Sequence, residues 1–146
     1  MTTTFPRFDL AAFICAAALA FASPSLAETV HFKAHADGTH EVPANDSKGT
    51  ATVDATYDTA DMVFSWQGSY SNLSGPPFAA HFHKGAPGKN GGIVIPIFSA
   101  KDNQSPFKGS KKLNTEEASD LMAGQWYINI HTTAHRPGEI RGQLTK

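Results

Sequence analysis

The chain has 146 residues, with 12 Lys and Arg against 13 Asp and Glu and a formal net charge of −1. That balance gives no electrostatic footing for nucleic acid or an anionic membrane surface as a partner. It holds one cysteine and seven histidines, so any metal chemistry must lean on imidazole and oxygen.

Residues 1–9 are polar and carry Arg7; residues 10–22 are almost all Ala, Leu, Ile and Phe. Pro24 breaks that run, and Ser25-Leu26-Ala27 supplies small residues at the positions a signal peptidase requires. Basic, apolar, small is the order of a secretory signal peptide, read here over 1–27. The apolar run is too short to span a bilayer comfortably. The expectation is a periplasmic or secreted protein whose residues 28–146 form one domain, without membrane contact once the leader is removed. Cys15 lies in the leader, which leaves the domain without disulfide or thiolate.

Runs of period-two character follow, separated by Gly, Pro, Asn and Asp. They predict strands at 29–35, 50–57, 62–71, 78–83, 92–98, 125–131 and 138–144. Residues 57–61 suit a hairpin, and Pro137-Gly138 is a turn that makes the last two strands an antiparallel pair. One helix is predicted over Asn114–Ala123, opened by a capping residue and acidic first turn and closed at Gly124. The fold class is all-β, an antiparallel β-sandwich or Greek-key barrel with one short helix. Phe64, Trp66, Phe82, Phe98 and Trp126 are its expected core.

Alternation sorts the histidines. Along 78–83, Phe78, Ala80 and Phe82 take the core face, and His81 and His83 stand on the other face with Cα atoms about 6.5–7 Å apart. Along 126–131, Trp126, Ile128 and Ile130 face in, and Tyr127, Asn129 and His131 face out. Along 138–144, Glu139, Arg141 and Gln143 face out. If the final hairpin neighbours 78–83, then His81, His83 and His131 converge on the outside of the barrel wall. His135, in the loop after His131, and His40, in a turn-like segment, are candidates for a fourth ligand. His31 and His35 read as solvated surface.

Two blocks then become recognisable. Residues 80–94, AHFHKGAPGKNGGIV, and the closing block, YINIHT (127–132) through PGEIRGQL (137–144), resemble the signature of the CHRD (chordin-type) domain family. Glu41-Val42-Pro43-Ala44 resembles that family's opening block, with Ala44 where the family has proline. The resemblance implies an immunoglobulin-like or barrel-like β fold, found in growth-factor-binding extracellular proteins and in stand-alone exported bacterial domains. The arrangement is also similar in kind to copper–zinc superoxide dismutases, which place His-x-His on a barrel strand near an arginine. Shared architecture does not by itself carry activity.

A site of imidazoles without thiolate suits copper first and zinc second. Copper held by neutral imidazoles can cycle, and Arg141 on the same face would attract a small anion such as superoxide. The expectation is a copper-only superoxide dismutase. A periplasmic copper carrier or buffer, or an interaction module with incidental histidines, are the readings set against it.

Overall fold

The computed structural model describes residues 1–2 and 27–146. The leader read over 1–27, with Cys15, falls almost wholly outside the described residues. Among the described residues, no helix is long and apolar enough to cross a membrane.

Among the described residues, eight strands form one antiparallel sheet: β1 (Thr29–Asp37), β2 (Thr50–Asp58), β3 (Val63–Ser71), β4 (Pro77–Lys84), β5 (Ile93–Ser99), β6 (Phe107–Lys112), β7 (Trp126–Thr132) and β8 (Ile140–Gln143). Their spatial order is β5-β4-β7-β8-β1-β2-β3-β6. The two outer strands approach each other, and Lys111 Nζ donates to Val94 O across the seam at 3.3 Å. The result is a nearly closed barrel, within the expected fold class.

Alternation explains the filling. Val30, Phe32, Ala34 and Ala36 of β1 point inward, as do Ala51, Val53, Ala55 and Tyr57 of β2. Phe64, Trp66, Phe82 and Trp126 meet at centroid distances of 5.4–6.4 Å, several of them edge to face, the geometry aromatic quadrupoles favour. All five expected core aromatics are buried. β2 and β3 form the expected hairpin, its turn held by Asp58 Oδ1 accepting from the backbone N–H groups of Ala60 and Asp61. The helix α1 (Thr115–Met122) carries a complete capping box: Asn114 Oδ1 accepts from Glu117 N, and Glu117 Oε2 accepts from Asn114 N. It buries Ala118 and Leu121.

Two departures have physical causes. β6 has the sequence FKGSKK, with one apolar residue, so its alternation is invisible to a hydrophobic pattern. Its central inward position is Gly109, because the Trp66 ring fills the space a side chain would need; a Cβ there would lie 2.4 Å from that ring. Phe78 does not join the core. A register shift between Pro77 and Ala79 leaves its ring 6.0 Å from the His131 ring, with the Arg136 guanidinium 5.1 Å from the Phe78 centroid.

Candidate metal centre

β4 lies beside β7, with Ala79 opposite His131, His81 opposite Asn129 and His83 opposite Tyr127. β7 in turn pairs with β8, the hairpin expected at the chain's end. This register sets His131 diagonal to His81 on one face. Ring centroids are 5.1 Å apart for His81–His131, 5.4 Å for His81–His83 and 6.2 Å for His83–His131. One nitrogen from each ring lies within 4.8 Å of the other two. Imidazole–metal bonds of about 2.0–2.1 Å place two ligating nitrogens at most about 4.2 Å apart, so small ring rotations close the set on one ion.

Hydrogen bonding identifies the nitrogens available. His83 Nδ1 lies 3.0 Å from Gly91 O, and His131 Nδ1 lies 3.0 Å from Arg136 O. A carbonyl only accepts, so each Nδ1 carries the proton and each Nε2 keeps a free lone pair. Among the described residues, His83 Nε2, His131 Nε2 and His81 Nδ1 are buried without a hydrogen-bond partner. Buried polar atoms are rarely left so. Metal-ligating histidines characteristically donate their other N–H to a carbonyl or carboxylate, and two of the three do so here.

The rings are held neutral. Burial, then the neighbouring His131 and His83, push His81 down to about 4. Burial also lowers His83 and His131, against the opposing pull of their bonds to Gly91 O and Arg136 O. The residues therefore fit a soft or borderline transition metal bound by neutral nitrogen.

The outer face is not open wall. The 38–45 segment, the 85–92 loop and the 132–138 loop cover it and leave a cleft of about 410 Å³, lined by Glu41, Asn90, Tyr127, Asn129, His131 and His135 among others. His135 shares this cleft but lies outside the three-histidine cluster. His40 stands apart: it is exposed and bonded through Nδ1 to Asp37 Oδ1 at 2.8 Å. Its neighbour Glu41 enters the cleft instead, accepting a hydrogen bond from Asn129 Nδ2. Burial raises the Glu41 carboxyl against the lowering effect of Asn129. The sequence reading gave Glu41 no chemical role, although it opens the EVPA block.

Arg141 and Glu139 were expected on an exposed face, where Arg141 would meet an anion; both are buried. The Arg141 guanidinium lies 3.6 Å from the Tyr127 ring centroid and donates to Asn90 Oδ1, Ala86 O and Lys89 O. The covering loop has turned an outward side chain into an interior one. Glu139 bonds Ser47 Oγ, the Ser74 N–H and Thr132 Oγ1, and makes no hydrogen bond or ion pair with Arg141 among the described residues.

A nearly closed antiparallel barrel with three imidazoles converging from adjacent strands defines a β-domain with a candidate transition-metal centre. Residues 32–144 match the CHRD domain, and the chain belongs to that family. Searches of curated proteins and of solved structures returned no match.

Proposed function

We propose that the protein is an exported copper protein that dismutates superoxide at the His81–His83–His131 site. The observation that carries this reading is the trio of orphaned ring nitrogens, neutral and opening beside a polar cleft. Copper tops the affinity order for such a nitrogen set. When bound it supplies one-electron cycling between Cu(I) and Cu(II), while zinc would remain redox-silent.

The residues around it do the rest. Gly91 O and Arg136 O fix the tautomer and orientation of two rings. Neutral imidazoles would leave the positive charge of an ion held between them uncompensated, which would favour an anion at the site in place of Arg141. Dismutation oxidises one superoxide to dioxygen and reduces another to hydrogen peroxide, consuming two protons. Glu41, raised by burial and held by Asn129, is a titratable group in the cleft placed to relay protons.

The Glu41 carboxylate in the cleft and the withdrawal of Arg141 into the interior both weaken attraction for an anion. That favours, as the second reading, a copper carrier without turnover. The deciding experiment loads purified protein with copper, determines stoichiometry by elemental analysis and follows superoxide decay after pulse radiolysis. Dismutase function predicts one copper per chain and rapid decay, with both lost in His81→Ala and His131→Ala. Stoichiometric copper with decay no faster than free buffer refutes turnover and leaves the carrier. Equal copper in wild type and both variants refutes the site.

A further inference from the structure

Three planar groups stack in sequence beside the cluster. The Arg141 guanidinium carbon lies 3.6 Å from the Tyr127 centroid, and the Tyr127 ring lies 5.0 Å from the His83 ring at an interplanar angle of 8°. The stack is dry: Arg141 is 2% exposed, Tyr127 4% and His83 9%. Among the described residues, no carboxylate pairs with Arg141; its donors end on two carbonyls and the Asn90 side-chain oxygen. Glu41 is near enough for the guanidinium charge to lower its carboxyl, but it makes no direct ion pair, and a buried guanidinium without one is costly to maintain and invites a functional explanation.

The same guanidinium organises the groups behind His83. It grips Ala86, Lys89 and Asn90 of the loop whose Gly91 O bonds His83 Nδ1 and whose Gly91 N–H donates to the Tyr127 hydroxyl. Asn90 Nδ2 continues the chain to Val42 O on the segment bearing Glu41.

We propose that Arg141 is a positioning residue of the metal centre: stacked through Tyr127 on His83, it holds a fixed positive charge against one ligand and raises the reduction potential of copper bound there. This rests on the copper reading above. The charge opposes Cu(II) more than Cu(I). A unit charge about 10 Å away, at an effective dielectric near 20, shifts a one-electron equilibrium by about tenfold. A scaffold role alone would weaken both oxidation states together.

The test measures the Cu(II)/Cu(I) midpoint potential and the Cu(II) electron paramagnetic resonance spectrum of the copper-loaded protein. Arg141→Gln is expected to lower the ratio of Cu(I) to Cu(II) affinity by about tenfold, equivalent to about 59 mV for one electron. Arg141→Lys, which keeps the charge, stays closer to wild type. Asn90→Asp sets a carboxylate against the guanidinium from an exposed position and lowers the potential in the same direction, which keeps the test available should Arg141→Gln fail to fold. Equal shifts in the Gln and Lys variants, or an unchanged potential in both Arg141→Gln and Asn90→Asp, overturn the proposal while leaving the copper site standing. Failure of wild type to take up copper overturns both.

Discussion

His81 offers the sharpest test of the site without any metal. In the unfolded chain its imidazole gains a proton near 6.5; in the folded domain burial and the two neighbouring rings delay that to about 4. Between those values the unfolded chain binds more protons than the folded one, so stability falls as pH falls from 7 towards 4. At 1.36 kcal/mol per pKa unit the full shift sets a ceiling of about 3 kcal/mol. His81 is only partly buried, and solvent screening reduces the expected loss to about 1–2 kcal/mol. His81→Gln cannot titrate, so it removes this contribution while leaving the others nearly in place. The assay is urea unfolding of chelator-treated protein at pH 7 and pH 4.5, wild type against variant. The wild type should lose about 1–2 kcal/mol more than the variant between the two conditions. A stability difference identical at both pH values would refute the claim that His81 is held neutral by its surroundings. The same low proton affinity keeps the ring available to metal until acid approaches pH 4.

Two further outcomes follow from the contacts around the site. Glu139→Gln replaces a fully buried carboxylate that accepts from three donors, and should cost about 2–4 kcal/mol by urea unfolding at neutral pH; because burial of that carboxyl is outweighed by its hydrogen bonds, its folded pKa is lowered, and the difference should shrink as pH falls through it. A midpoint unchanged at neutral pH would show those bonds to be dispensable. Gly91→Ala places a Cβ 1.5 Å from Lys84 O, so the loop must shift and carry Gly91 O away from His83; metal affinity should drop by about 10–100-fold in competition titration, and unchanged affinity would remove the carbonyl from the account of the site.

The candidate trio of histidines was legible because alternation is a local rule. His81 and His83 share a face whatever covers it, and the PG turn fixed His131 on the matching face of the next hairpin. The adjacency of β4 and β7 was a conditional step, and the register supplies it. What alternation does not carry is the identity of the layer outside the face. Arg141 and Glu139 do project from the barrel wall, yet the loops seal over them. Glu41 escaped notice for the same reason: it lies in a turn, where no periodicity assigns a direction, and only the tertiary path of 38–45 brings it to Asn129. β6 was missed because its inward position is occupied by a neighbour's ring, so the pattern that marks a strand is borne by Trp66 on β3.

The site divides its support between two kinds of structure, and the division is uneven. The backbone of all three histidines is fixed by ladders: β4 is paired on both sides by β5 and β7, and β7 by β4 and β8. The rings of His83 and His131 are then aimed by loop carbonyls. His81 has no such partner among the described residues; its ring packs edge-on, at 86° to His83 and 64° to His131. Two imidazoles are thus preorganised and the third is held by contact alone. Preorganised donors lose little freedom on binding an ion, whereas a loosely held one can rotate to the separation the bond requires. The three nitrogens lie within 4.8 Å of one another, and His81 is the ring that can turn toward an ion without breaking a hydrogen bond to the described residues.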